Sequence, residues 1–276
     1  GQQIGGPRAG GAEADRRLAG DPCHTLSDEA GALLVPRQHV ADAAGAQRIV
    51  TDYENTILYD THGAQMSQSE KQEMEQLFEE LTAQIEAWQN DYENDTSLQV
   101  AIEEWIANKR LSENAMRRLW FMVNTTIEHE YAADVKDLSL YWFDNAGEYS
   151  GDDVIFPGGY GQLVNFLVQG LDIRLQHLVQ VIETSSTGIQ AHTGLGIFRA
   201  KRAIVTLPAG VLQRGMVQFI PELPVNKKQA LTGFGFGVLN KVYLQFPYVF
   251  WDKDAHLLNY ISAQKGRWCE WLNLAA

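Results

Sequence analysis

The sequence predicts a mixed α/β (α+β) chain, with helices in its first half and short strands in its second. Three observations carry this. Apolar residues recur at helical spacing from Ser67 to about residue 130. After Asp137 the apolar runs shorten to strand length and are separated by glycine and proline turns. With 45% apolar and 21% charged residues over 276 positions, the chain can bury a core, and its length suggests about two domains.

Residues 1–48 stand apart. They are rich in Gly, Ala, Arg and Asp and lack sustained periodicity, so they read as an atypical segment, disordered or misread. Only 41–50 looks able to join a fold. Ser67 followed by Glu70 then fits a capping box at a helix start. Met74, Leu77, Phe78, Leu81, Ile85 and Trp88 make one apolar stripe on that helix. A second helix over 98–109 turns Leu98, Ile102, Trp105 and Ile106 inward. A third follows Ser112, with Met116, Leu119, Trp120, Val123 and Ile127 as its buried face. A short strand at 154–156 leads through Pro157-Gly158-Gly159-Tyr160-Gly161 into a helix containing Leu163, Phe166 and Leu167. Strands are expected at 172–175, 179–184, 189–192 and 203–207, the last ended by Pro208. A short helix over 227–231 precedes Gly233-Phe234-Gly235-Phe236-Gly237 and a strand at 238–246. Strands near 257–262 and 268–272 close the pattern.

Several function classes fall away. The net charge of −13 argues against nucleic acid as a partner, because phosphate binding needs clustered Lys and Arg. No apolar run approaches the roughly 20 residues that cross a bilayer. No signal-peptide core is visible either, so no membrane association and a cytoplasmic location are expected. The seven histidines are scattered without HExxH or HxH spacing, and no metal is expected. Cys23 and Cys269 cannot make a disulfide framework. His129-Glu130 reads as a solvated helix end, and no Gly-x-Ser-x-Gly elbow marks a hydrolase.

Two glycine clusters resemble nucleotide loops only superficially. Gly233-x-Gly235-x-Gly237 precedes a strand instead of opening a helix, and Gly158-Gly159-Tyr160-Gly161 lacks the Lys and Ser/Thr of a P-loop. Lys241 is different in kind. On the expected strand 238–246 it shares the polar face with Tyr243 and Gln245, opposite Val242, Leu244 and Phe246. Such a Lys is ordinarily solvated; buried, its lowered pKa would suit it to proton relay.

The run Tyr131-Ala-Ala-Asp-Val-Lys-Asp-Leu-Ser-Leu140 is followed by Gly151-Asp-Asp-Val and Pro157-Gly-Gly-Tyr-Gly-Gln-Leu163. Then come Gly170-Leu-Asp-Ile-Arg-Leu175, Val179-x-x-Ile182 and Ala203-Ile-Val-Thr-Leu-Pro-Ala-Gly-Val-Leu212. Phe219-x-Pro221-x-Leu223-Pro224, Gly235-x-Gly237-x-Leu-Asn-Lys-Val242 and Phe250-Trp251 complete the series. In order and spacing these pieces resemble flavin-dependent amine oxidases, in particular the polyamine oxidase and lysine-specific histone demethylase branch. The resemblance covers about residues 49–276. It implies a two-domain FAD protein, with 49–152 and 239–276 in the substrate domain and 153–238 in the FAD-binding domain. It also implies that Val179 meets the adenine side of FAD, that Thr206-Leu207-Pro208 lines the cofactor, and that Lys241 holds a water near flavin N5.

The resemblance has gaps. The strand–GxGxxG–helix unit that opens the family is not found, and Gln3-Ile4-Gly5-Gly6-Pro7-Arg8 only echoes the element that follows it. No C-terminal glycine-rich cofactor segment is found either, and the chain begins with Gly1, so it reads as a central fragment whose isolated form is expected to be inactive. The activity implied for the parent protein is oxidation of a polyamine-like small amine to an imine, with FAD, and with dioxygen reduced to hydrogen peroxide. The alternatives are a non-catalytic remnant serving as an interaction module, or another FAD oxidoreductase of the same superfamily. Substrate residues and oligomeric state are not legible.

Overall fold

The fold is known from a computed structural model, which describes residues 37–91, 95–144 and 152–275. The expectations on Gln3–Arg8, Cys23 and Gly151 lie outside the described residues. In chain order the elements are α1 (Arg37–Ala43), β1 (Ile49–Val50), β2 (Thr56–Tyr59), α2 (Gln68–Asp91), α3 (Leu98–Lys109) and α4 (Glu113–Met122). A π-helical segment (Val123–Glu128) and the short α5 (His129–Tyr131) continue α4. They are followed by β3 (Val154–Ile155), α6 (Gly161–Leu167), β4 (Val179–Ser185), β5 (Gly188–Thr193) and β6 (Gly196–Ala200). The last are α7 (Ala209–Gln213), β7 (Gln218–Ile220), α8 (Val225–Thr232), β8 (Leu257–Tyr260) and β9 (Glu270–Leu272).

The chain divides into two compact units. The smaller contains the described residues up to Val50 together with Val154–Ile173. In it β1 pairs antiparallel with β3, Ile49 opposite Ile155, and Ala41, Ala46 and Leu163 form a small core with Phe156 against it. Gly159 takes φ +74° in the turn that leads into α6, a conformation open to glycine at no steric cost.

The larger unit comprises Thr51–Asp153 and Arg174–Ala276. Its helices start where side chains satisfy their first amides. Glu70 Oε2 accepts from Ser67 N at 3.0 Å, and Ser67 Oγ accepts from Glu70 N at 3.4 Å, completing the capping box. Ser97 Oγ and Ser112 Oγ accept from Val100 N and Ala115 N, capping α3 and α4. The stripes then meet in one core of Leu81, Ile85, Leu98, Ile102, Leu119, Val123 and Ile127. Full burial of each large aliphatic there contributes about 1.5–3 kcal/mol. Phe121, outside the expected face, is buried in a second cluster with Leu58, Met66, Met74, Ile261 and Cys269, which ties the helices to a three-stranded sheet. In that sheet β2 runs parallel to β8, Leu58 opposite Asn259, and β9 is antiparallel to β8. A four-stranded sheet has the order β6-β5-β4-β7, with β7 parallel to β4.

Three expected strands do not form. Residues 172–175, 203–207 and 238–246 belong to no strand among the described residues. A strand is defined by its partner's N–H and C=O groups, and among the described residues no strand ladder takes in these runs. β2, β6 and β7, by contrast, are strands that the periodicity did not announce. β2 and β7 are short, and β6 is the far arm of the β5–β6 hairpin.

Candidate functional site

The most closely connected polar group lies where α4 loses its α-helical register. Val123, Thr125, Thr126 and Ile127 are β-branched, and such residues lose side-chain freedom in a helix. Thr125 Oγ1 also donates to Phe121 O at 3.0 Å, a bond back to the preceding turn that loosens the ladder. The backbone widens into a π-helical turn over Val123–Glu128, a feature frequent at functional sites. This turn buries two polar side chains, Asn124 and Glu128.

Glu128 is 7% exposed and accepts three hydrogen bonds. Val135 N donates to Oε1 at 3.0 Å, Lys265 Nζ to Oε1 at 2.8 Å, and Asn124 Nδ2 to Oε2 at 2.7 Å. Lys265 lies over the Trp120 ring, 5.0 Å from its centroid. Cys269 Sγ donates to Asn124 Oδ1 at 3.2 Å. The network thus joins the helix to the β8–β9 connection, and its outer members Lys265, Cys269 and Trp120 line a cleft of about 400 Å³ with Met116, Phe121 and Gly266.

His129 follows directly. Its Nδ1 is 3.4 Å from Glu270 Oε1. A hydrogen bond with Cys269, then the one with Glu270, pushes its pKa up to about 10 against the opposing effect of burial, so His129 is an imidazolium at neutral pH. The expected solvated helix end is therefore a partly buried charged contact. A second cleft, about 380 Å³, lies beside the start of α2. There Arg118 pairs with Glu70 at 2.6 Å and Arg117 with Glu113 at 2.8 Å. Amide and hydroxyl hydrogen bonds from Ser67, followed by that of Arg118, hold Glu70 down at about 2.

The five residues singled out in the sequence are placed differently. Val179 is half-buried at the start of β4, Leu207 is half-buried, and Thr206 and Pro208 are exposed just before α7. Lys241 is exposed on the unpaired run 238–246 rather than on a strand. The path of that run is fixed at Gly237, where any Cβ would overlap the Ala132 carbonyl oxygen at the end of α5. Among the aromatics nearby, Tyr243 is 79% exposed, Trp251 donates to Asn273 Oδ1 at 3.1 Å, and Trp271 stacks on Trp268 at 5.5 Å. Neither cleft includes any of the five residues. As they stand they do not enclose a group the size of FAD, which needs a concave, largely buried site.

No helix among the described residues is long and apolar enough to cross a membrane, and no group of His, Cys, Asp and Glu among them has a metal-binding arrangement.

Comparison with known proteins gives a consistent result. The family model for flavin containing amine oxidoreductase matches residues 30–274. Lysine-specific histone demethylase 1 homolog 1 of rice (Oryza sativa subsp. japonica) is 34% identical over 178 residues, covering 63% of this chain and 21% of the relative. Polyamine oxidase 2 of Arabidopsis thaliana is 30% identical over 209 residues, covering 73% of this chain and 42% of that protein. Among solved structures, putrescine oxidase bound to putrescine superposes with a TM-score of 0.51 at 16% identity, over 71% of this chain and 49% of that one. The chain thus spans half or less of the length of these proteins.

Proposed function

This chain belongs to the flavin-containing amine oxidoreductase family, whose cofactor is FAD, and we propose that the protein it represents oxidises a small amine. In that reaction the amine would lose two electrons and two protons to become an imine, bound FAD would supply the electron acceptor, and dioxygen would take up both electrons and protons as hydrogen peroxide. The flavin supplies the difficult chemistry and the polypeptide supplies orientation and electrostatics. The observation that carries this reading is the family match over 30–274, which takes in all three described sheets and all the described helices.

Within this reading 153–238 belongs to the cofactor domain, and 49–152 with 239–276 to the substrate domain. Val179 and Thr206-Leu207-Pro208 border FAD, and Lys241 holds a water beside the reacting centre. The exposure of Thr206, Pro208 and Lys241 means that these roles require surroundings beyond the described residues. A polyamine-like amine is the preferred substrate, supported by the likeness to polyamine oxidase 2. A second reading, oxidation of a lysine side chain on a protein, is supported by the likeness to the rice histone demethylase homolog.

Peroxide release by the intact flavoprotein, measured with spermine, a monoamine and a lysine-containing basic peptide, separates the readings. Release with spermine is the expected result. Release only with the peptide supports the second reading, and no release with any of them contradicts amine oxidation.

A further inference from the structure

Glu128 is charged and buried, and stability alone does not explain it, since well-packed apolar groups often serve as well as a buried ion pair. What a carboxylate adds is direction. Glu128 grips the chain that follows it at two points. Its backbone carbonyl accepts from Ala133 N at 3.2 Å, and its Oε1 accepts from Val135 N at 3.0 Å. Just ahead of these points Ala132 holds φ +50°. That left-handed conformation is costly for a residue with a Cβ and persists only where its surroundings fix it. The backbone at 132–133 is also the surface on which Gly237 rests. A Cβ on Gly237 would overlap the Ala132 carbonyl oxygen and come within 3.0 Å of Ala133 Cα, so the approach requires glycine. Lys241 follows four residues later, on a run that no strand ladder among the described residues takes in. The contact at Gly237 therefore sets the direction in which the chain enters Lys241.

We infer that Glu128 is a positioning residue for Lys241, acting through the turn 132–135 and Gly237 and not by touching substrate or flavin. The inference rests on the reading in which Lys241 holds a water beside the reacting centre. It gives the polar network a purpose besides stability. Asn124 and Lys265 fix the carboxylate, the carboxylate fixes the turn, and the turn fixes the start of the run.

A double-mutant cycle in the intact flavoprotein tests it, with amine turnover and tryptic cleavage after Lys241 as separate readouts. Glu128→Ala should lower kcat about tenfold to a hundredfold, the scale on which a misplaced catalytic group is felt, and leave flavin content unchanged. Glu128→Gln keeps an oxygen for Val135 N and should restore much of the rate. In a Lys241→Met background the further loss from Glu128→Ala should be less than about twofold, because the effect runs through Lys241. Gly237→Ala disturbs the same junction from its other side, should show the same dependence on Lys241, and replaces Glu128→Ala if that variant does not fold. Cleavage after Lys241 should quicken about tenfold in both variants relative to cleavage after Lys201, an exposed site that the junction does not touch. Equal rate losses with and without Lys241 overturn the inference. So does equal quickening at the two cleavage sites, which would mean general loosening, or a Glu128→Gln variant as slow as Glu128→Ala. Wild-type turnover in Lys241→Met alone defeats the reading of Lys241 and the inference with it, whereas slow turnover in Lys241→Met without coupling defeats only the inference. If the wild type oxidises no amine, the oxidase reading fails and the cleavage ratio still decides the junction.

Discussion

Replacing Glu128 with alanine removes the acceptor on which the polar network converges. The Val135 amide and the Asn124 carboxamide are buried donors, and each loses its protein partner. An unsatisfied buried donor costs about 1–3 kcal/mol. Lys265 is less affected. Its side chain is 34% exposed and can turn to water, so its ion pair adds no more than about 1 kcal/mol. The expected total is about 2–7 kcal/mol, a large part of the roughly 5–15 kcal/mol that holds a domain together. Glu128→Gln keeps an oxygen for Val135 N but sets an amide N–H against Asn124 Nδ2, so one buried donor rather than two loses its acceptor, and the loss should be about 1–3 kcal/mol. Urea unfolding of wild type and both variants measures the difference, with the slope of each transition checked for two-state behaviour. Equal, small losses in the two variants would refute the reasoning, since the hydrogen bonds would then contribute no more than a surface contact.

Other consequences are equally specific. Gly237→Ala should destabilise the protein by about 1–3 kcal/mol, because the new methyl group overlaps the Ala132 carbonyl, while Gly235→Ala meets nothing within 4 Å and should be near neutral in the same unfolding assay. His129, with its pKa raised from 6.5 to about 10, favours the folded state when protonated. Its contribution is complete below about pH 6.5 and is lost as the pH rises towards 10, so thermal midpoints measured over that range should fall, and fall less in His129→Gln. Lys241→Met in the intact protein should slow turnover and leave flavin content unchanged; unchanged turnover would remove Lys241 from the chemistry.

Much of the helical architecture was legible because its causes are local. Ser67 with Glu70, Ser97 and Ser112 mark helix starts through short-range hydrogen bonds, and the Leu81–Ile85 and Leu98–Ile102 stripes announce their buried faces. The family signature was legible too, because its pieces keep their order from Tyr131 to Trp251. What escaped depends on register and on partners. Phe121 is buried on a second face of α4, and the π-helical turn that follows it buries Asn124 and Glu128, which a single helical stripe does not reveal. The only advance sign was the β-branched run Val123–Ile127. Lys265 and Cys269 join that turn from more than 130 residues away, a contact that no local pattern encodes. The strand expected at 238–246 has the right alternation, but alternation supplies one half of a ladder and a neighbour must supply the other.

The central claim, that this chain is part of a flavin-dependent amine oxidase, is tested most directly by mixing the intact protein with an amine in the absence of oxygen and following the visible absorbance. The account predicts that the oxidised flavin band is lost on mixing, returns when air is admitted, and is accompanied by hydrogen peroxide equivalent to the amine consumed. A protein that carries no flavin, or a flavin band that no amine bleaches, would contradict it.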